Sequence, residues 1–204
     1  MKKITLVLLA VFISFSAFAE RDKRISFAVD FAVGRVSSDL GGDEVNMLAT
    51  HFGADAEFMR LEKNVIIGLK LGVHSIDREG SVSNGYLSYD YIFEGTSFTL
   101  APIIGKAFGQ YKNIHLLWYP VAVEFASFTD ASIYYQNGNK IRDLSIDDSC
   151  INIKTCFYAN LQCGKNLLRN GLYTGFDIYI TSSGDMKSTT GTQWVIGYKL
   201  SFAV

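Results

Sequence analysis

Hydrophobic residues recur at every second position along most of this chain. In the closing stretch 194–204, WVIGYKLSFAV, one register is bulky and apolar, while the other is small or polar. Because successive side chains of a β-strand point to opposite faces, this pattern predicts strands with one apolar and one polar face. Nine such segments occur, at 25–33, 48–58, 65–73, 87–93, 98–104, 117–125, 151–161, 172–180 and 194–204.

A tenth strand is predicted at 132–136, directly before an Asn137-Gly138 turn signal. A closed barrel whose two termini lie on the same side requires an even number of strands. We therefore expect ten strands, with eight as the alternative. The connections then alternate in length, with long ones at 35–46, 75–85, 106–113, 137–149 and 182–191 and short ones at 60–64, 94–97, 127–131 and 164–171. Such alternation is typical of barrels with long outer loops and short periplasmic turns.

Charged residues within the predicted strands fall almost entirely at the polar register. They are Asp30, Asp55, Glu57, Lys70, Asp90, Glu124, Lys154, Asp177 and Lys199. A soluble sandwich also alternates, but it turns its charged faces to water. The long aromatic-rich strands and the weakly polar connections favour lipid outside and polar groups inside. The predicted fold is therefore all-β, an antiparallel up-and-down transmembrane barrel.

The first residues of the chain have the pattern of an export signal. Lys2 and Lys3 precede an apolar run at 4–15, and Ala17-Phe18-Ala19 fits a small-x-small cleavage pattern. The apolar run is too short for a transmembrane helix of about 20 residues. We expect a signal peptide at 1–19, followed by a single β-barrel domain at 20–204.

With its terminal WVIGYKLSF and its repeated strand alternation, the chain resembles small bacterial outer-membrane β-barrel proteins of the eight- to ten-stranded type. In that family the last strand usually ends in an aromatic residue that the assembly machinery reads. The resemblance implies an outer-membrane location, with membrane lipid and the barrel assembly machinery as partners. It also implies an insertion signal, formed here by Trp194, Tyr198, Leu200 and Phe202. The chain departs from the family pattern because Ala203 and Val204 follow Phe202.

The composition fits a β-protein and excludes some partners. Lys and Arg number 19 against 20 Asp and Glu, so no nucleic-acid partner is indicated. The 15 Phe and 11 Tyr suit strands and membrane interfaces. Nothing in the sequence indicates a cofactor.

The inward charges of so narrow a barrel are expected to form a network that fills the lumen. That network suits a structural or surface-interaction protein, and the alternative is a narrow pore for small solutes or ions. A further alternative is an enzyme that modifies lipid, suggested by His74, Ser75 and Asp77 near an outer strand end. No complete catalytic set can be identified, so no catalytic residue is predicted. A soluble exported barrel that binds an apolar ligand is the remaining alternative.

Histidines and cysteines do not form a recognisable motif. His51, His74 and His115 are too scattered for a spaced metal motif, so no metal site is predicted. Three cysteines, Cys150, Cys156 and Cys163, leave at least one thiol unpaired within the chain. Cys150 and Cys156 would lie about 20 Å apart along one strand, too far for a disulfide.

The outer loops, for example 37–46 and 76–85, are rich in Gly, Ser and Asp. They allow an extracellular ligand, but they do not identify one.

Overall fold

The computed structural model describes residues 23–40, 43–83, 88–109, 113–135, 140–143, 149–163, 168–182 and 189–203. The predicted signal peptide at 1–19 and the start of the barrel domain lie outside the described residues. The strands are β1 Lys23–Leu40, β2 Asp43–Glu62, β3 Val65–Ser83, β4 Ser88–Phe108, β5 Ile114–Tyr135, β6 Lys140–Asp143, β7 Ser149–Cys163, β8 Leu168–Ser182 and β9 Thr189–Ala203. Among these residues, no helix is long and apolar enough to span a membrane.

Eight of the nine strands close into an antiparallel ring in the order β1-β2-β3-β4-β5-β7-β8-β9. The ring closes where β1 pairs with β9, for example at Asp30↔Lys199. The short β6 lies outside the ring and pairs with the C-terminal end of β5, at Ser132↔Asp143. The fold class predicted from the alternation, an antiparallel up-and-down barrel, is confirmed.

The two described ends of the chain lie at the same end of the ring, where Ser26 pairs with Ala203. The tight turn between β2 and β3 lies there too, and its residues Lys63 and Asn64 both have positive φ. We call this the turn end, and we call the opposite end the outer end.

Among the described residues the ring has eight strands, the number given above as the alternative to ten. The described parts of the predicted strands 87–93 and 98–104 both belong to β4, and those of 117–125 and 132–136 both belong to β5, while residues 87 and 136 lie outside the described residues. The expected connections at 94–97 and 127–131 are therefore strand residues. Polar residues there indicated turns, but a strand that continues beyond an apolar belt also becomes polar.

Large apolar side chains cover the outer surface of the ring. Exposed examples from different strands are Phe31, Phe52, Ile67, Phe157, Ile178 and Trp194. The outward register is the predicted one on β1, β2, β3, β7, β8 and β9. In a bilayer such a surface faces the lipid, because contact with the hydrocarbon takes no polar group of the surface out of water.

The outward register of β5 was predicted incorrectly near the turn end. Tyr119 is 3% exposed and faces the lumen, although it was placed on the outer face with Val121, which is 52% exposed. The pairing of β5 with β7 skips from Tyr119↔Cys156 to Ala122↔Lys154. Pro120 lies in this irregularity and has no N–H to donate to the ladder. The extra residue reverses the alternation, so Leu117 and Tyr119 point inward while Val121 points outward.

Asp90 does not belong to the lumen network that was predicted to contain it. Its neighbours Tyr91 and Phe93 were expected on the outer face, but both are buried inside the barrel. The reason is that β4 is one strand with unbroken alternation. Because Phe98 and Leu100 are exposed on the outside, the residues at odd positions, including Tyr91, must face inward.

Candidate functional site

The interior of the barrel is layered along its axis. Near the outer end it is apolar, with a buried group of Val36, Val45, Met47, Ala49, Tyr91, Phe93 and Tyr179. Near the turn end, one side is filled by another apolar group, which includes Ile66, Ile103 and Leu117. Charged side chains concentrate between these two groups. An eight-stranded barrel is just narrow enough for side chains to fill it in this way.

The largest set of polar side chains lies on β9, β1, β2, β3 and β8. We call it the aspartate–histidine cluster, and it consists of Asp30, His51, Asp55, Glu57, Lys70, His74, Tyr173 and Lys199. The strand register brings these residues together, because Asp30 is opposite Lys199, Glu57 is opposite Lys70, and Gly53 is opposite His74.

The lysines of this cluster neutralise its carboxylates. Lys70 Nζ lies 2.8 Å from Asp55 Oδ2. Lys199 Nζ lies 2.5 Å from Glu57 Oε1 and 3.5 Å from Asp55 Oδ2. The carboxylates of Asp55 and Glu57 therefore share two lysines, whereas that of Asp30 is contacted by His51 and Tyr173. Buried charges are tolerated in proteins when they are paired in this manner.

The histidines of the cluster face its aspartates. His74 Nε2 lies 3.1 Å from Asp55 Oδ1 and 3.8 Å from Asp30 Oδ1. His51 Nε2 lies 3.1 Å from Asp30 Oδ2 and 3.0 Å from the hydroxyl of Tyr173, which donates to the same Asp30 oxygen at 2.5 Å. The two imidazole rings lie 5.4 Å apart, edge to face.

Two glycines provide the space that the His74 ring occupies. A Cβ at Gly53 would lie 2.0 Å from His74 Cδ2, and a Cβ at Gly72 would lie 2.5 Å from both His74 Cε1 and Asp55 Oδ1. No side chain other than hydrogen fits at either position without moving the imidazole. The His74 ring therefore fits beside Asp55 because two neighbouring strands have glycine at these positions.

A second polar group lies on β5, β7 and β8. Lys154 Nζ contacts Glu124 Oε2 at 2.6 Å, and Asn152 Nδ2 donates to Glu124 Oε1 at 2.7 Å. Thr181 in turn donates to Asn152 Oδ1 at 2.6 Å. Both oxygens of the buried Glu124 are thus hydrogen-bonded.

Tyrosines connect the two polar groups across the lumen. The rings of Tyr119 and Tyr158 lie 5.3 Å apart, and those of Tyr158 and Tyr173 lie 6.0 Å apart. Tyr158 donates to Asp177 Oδ2 at 3.3 Å, whereas Tyr173 donates to Asp30.

A cavity of about 100 Å³ lies between the two polar groups. Its lining includes Asp30, His74, Lys70, Glu124, Lys154 and Asp177. Pockets that bind drug-sized molecules usually have about 300–1,000 Å³, so this cavity admits only small ions and water.

Eight of the nine charged residues predicted for the lumen lie inside the barrel, and Asp90 is the exception. They do not form one continuous network, because Glu124 and Lys154 pair with each other rather than with the aspartate–histidine cluster. His51 and His74 have the polar parity of their strands, which is the signal that they face the lumen, but that parity does not indicate that they meet. Tyr173 was not among the residues predicted for the lumen, although its register opposite to Leu172 was a signal that it points inward.

His74, Ser75 and Asp77, which suggested an enzyme, have separate partners in the structure. His74 faces the aspartates inside the barrel. Ser75 Oγ accepts the backbone N–H of Phe52 at 2.9 Å, and Asp77 accepts the Thr50 hydroxyl at 3.0 Å.

The three cysteines are free thiols. Cys150 and Cys156 are buried in the lumen, and Cys163 is exposed near the turn end.

No protein-family model matches the sequence, and no curated protein sequence matches it significantly. Among solved structures, the chain is similar to Ail, the attachment invasion locus protein of Yersinia pestis, solved in complex with the heparin analogue sucrose octasulfate. That match has 13% identity and a TM-score of 0.42, and it covers 89% of this chain and 99% of that chain. Neisserial surface protein A matches at 8% identity and a TM-score of 0.43, over 86% of this chain and 96% of that chain. The outer membrane protease OmpT from Escherichia coli matches at 9% identity and a TM-score of 0.32, over 91% and 98%.

These neighbours are bacterial outer-membrane barrels, the class that the strand pattern of this chain resembles. The sequence identities and TM-scores are too low for the function of this chain to be inferred from these neighbours. The function of this chain therefore has to be inferred from its own barrel.

Proposed function

We propose that this chain is an integral outer-membrane β-barrel with a structural or surface-interaction role, and that charged groups together with apolar side chains fill its lumen. Its apolar outer surface supports the membrane location, since a water-soluble barrel would expose this surface at a large cost. Membrane lipid and the barrel assembly machinery are the partners that this role requires. Export depends on the predicted signal peptide at 1–19.

The packing of the lumen at the turn end is the observation that carries this proposal. On the β3–β5 side, Ile66, Ile103 and Leu117 are each 3% exposed or less. On the opposite side, Ser26 and Ser201 are buried as well. Side chains from both sides thus occupy the space that a solute path would need, which favours a structural or binding role over the alternative of a narrow pore.

The long strands support a role at the cell surface. Strand β5 has 22 residues, or about 70 Å along the strand. Because strands tilt by about 40°, it rises well beyond an apolar belt about 25 Å tall. The outer face of β3 becomes polar after Val73, with Ser75, Asp77 and Glu79. We infer that the outer parts of β3 to β5 stand in water and present the outer loops to an extracellular ligand.

Two other functions remain as alternatives. An enzyme that modifies lipid is less favoured, because His74, Ser75 and Asp77 have separate partners. A soluble exported barrel is less favoured because the apolar residues face outward.

Fractionation and gel migration test the membrane location. We expect the protein in the outer-membrane fraction, extractable only by detergent, with faster migration of the unheated than of the boiled sample. Release by osmotic shock without detergent contradicts the proposal and favours the soluble alternative.

Conductance in planar bilayers tests the closed lumen. The folded barrel should insert without discrete current steps, while an open porin run in parallel gives them. Regular unitary steps from the wild-type barrel would favour the pore.

A further inference from the structure

The aspartate–histidine cluster has the donor atoms of a metal site. Asp30, Asp55 and His74 each offer one ligand atom, and these three atoms all lie within 4.8 Å of one another. Ligands held at about 2.1 Å around a tetrahedral ion lie about 3.4 Å apart. The distances of 3.1 Å and 3.8 Å from His74 Nε2 to the two Oδ1 atoms bracket this value.

The two aspartates are oriented so that one oxygen of each is left for a ligand. Asp30 Oδ2 accepts the Tyr173 hydroxyl, and Asp55 Oδ2 pairs with Lys70. Both Oδ1 atoms are buried. Asp30 Oδ1 receives no hydrogen bond from any residue that the structure describes, whereas Asp55 Oδ1 is contacted by His74 Nε2 at 3.1 Å. Buried carboxylate oxygens without a partner are rare because their desolvation is costly. Outer-shell groups that fix the second oxygen, as Tyr173 and Lys70 do here, are typical of metal ligands.

The space around the His74 ring shows that the sequence itself provides for this arrangement of His74 and the two aspartates. Gly53 and Gly72 leave room for the imidazole at the place where it faces both Oδ1 atoms, and a Cβ at either glycine would displace it. His51 is a second imidazole on the same cavity, close to Asp30. Three carboxylates against two lysines also leave one negative charge, which a cation would offset.

We propose that Asp30 Oδ1, Asp55 Oδ1 and His74 Nε2 bind one divalent transition-metal ion inside the barrel, with the fourth position open to His51 or water. The mixed imidazole and carboxylate donors suit Zn²⁺ or a similar first-row ion. Ca²⁺ and Mg²⁺ prefer oxygen ligands alone.

Titration of the full-length folded barrel with Zn²⁺ tests this site. The protein in detergent is stripped with a chelator and titrated by calorimetry. We expect one ion per chain, with binding at least about 10-fold weaker in His74→Gln, since even outer-shell changes cost 10–100-fold. His115→Gln is the matched control, because His115 is a buried lumen histidine outside the cavity lining, and it should bind as the wild type does.

The three free cysteine thiols could bind Zn²⁺ instead of the proposed site. A variant with Cys150, Cys156 and Cys163 all changed to Ser is therefore titrated in parallel. Unchanged binding in that variant supports the proposal. Loss of binding there, equal binding in His74→Gln, or no stoichiometric binding by the wild type overturns it.

Crystals of the wild type soaked with Zn²⁺ provide a test that needs no variant to fold. An anomalous-difference peak between His74 and the two aspartates is expected. A peak only at other residues, or none, contradicts the site. Heat-modifiable migration confirms that each variant used in the titrations is folded.

Discussion

Single residues in the lumen show how a narrow barrel tolerates charge. The carboxylate of Glu124 has a lysine on one oxygen and an amide on the other, so neither oxygen is left without a partner. Removing one member of a buried pair leaves an uncompensated charge, which usually costs more than the pair ever contributed.

Lys154→Met should therefore destabilise the barrel by about 3–5 kcal/mol. The double variant Glu124→Gln with Lys154→Met should recover most of this loss, because it removes both charges of the pair. Denaturant unfolding in lipid vesicles, followed by tryptophan fluorescence, measures both. Lys106→Met is the control, since Lys106 is exposed on the outer face, and it should change stability by no more than about 0.5 kcal/mol. Equal unfolding midpoints for Lys154→Met and Lys106→Met would show that the buried pair contributes nothing.

Which residues face the lumen could be predicted from single positions, but their partners could not. Parity placed Asp30, Asp55 and His74 inside the barrel. Their meeting depends on the register of β1, β2 and β3, in which Asp30 and His74 both lie opposite Gly53. A register shifted by two residues preserves every parity and separates these side chains, so alternation alone does not identify the cluster.

At the scale of elements, β4 and β5 show the limits of the alternation pattern. An irregular segment at Pro120 reverses the facing of Leu117 and Tyr119. In β4, by contrast, the alternation continues where polar residues suggested a turn, and Asp90 therefore lies on the outer face. The sequence pattern of a strand shows that side chains alternate between two faces. Bulges and strand ends decide which of the two registers points into the lumen.

Strand β9 carries the predicted insertion signal. Trp194, Tyr198 and Phe202 are exposed on the outer face, and Leu200 lies on the same face with partial burial. If Phe202 is read by the assembly machinery, Phe202→Ser should lower the amount of folded barrel in cells more than Phe176→Ser does. Phe176 is a matched control because it is an exposed phenylalanine on the outer face of the neighbouring β8. Quantification of the heat-modifiable form in outer-membrane fractions measures the difference, and equal losses would show that Phe202 acts only as an apolar surface residue.

At the scale of the whole molecule, the barrel combines an apolar exterior with a packed interior. The exterior suits lipid, and the layered lumen leaves a cavity of about 100 Å³. In the proposed role, the outer parts of β3 to β5 extend beyond the apolar belt and carry the surface chemistry on one side of the membrane.

If the packing at the turn end closes the lumen, removing it should open a path for ions. The triple variant Ile66→Ala, Ile103→Ala and Leu117→Ala should give conductance steps in planar bilayers, and each truncation should also cost about 2–5 kcal/mol of stability. The neighbouring Ile67, Ile104 and Leu116 point outward on the same strands. The control is the triple variant with all three of these residues changed to Ala, and it should give no conductance steps. If neither triple variant gives conductance steps, the lumen is closed at another level of the barrel.

The sequence by itself determined the fold class, the outward face of most strands and the inward position of most charges. These properties follow from the period of two, which is local and survives any choice of strand partner. The tertiary structure decided the number of strands in the ring, the phase of β4 and β5, and the meeting of His74 with Asp30 and Asp55. Those properties depend on hydrogen-bond register between strands and on where a strand bulges or continues, and neither is encoded in the alternation itself.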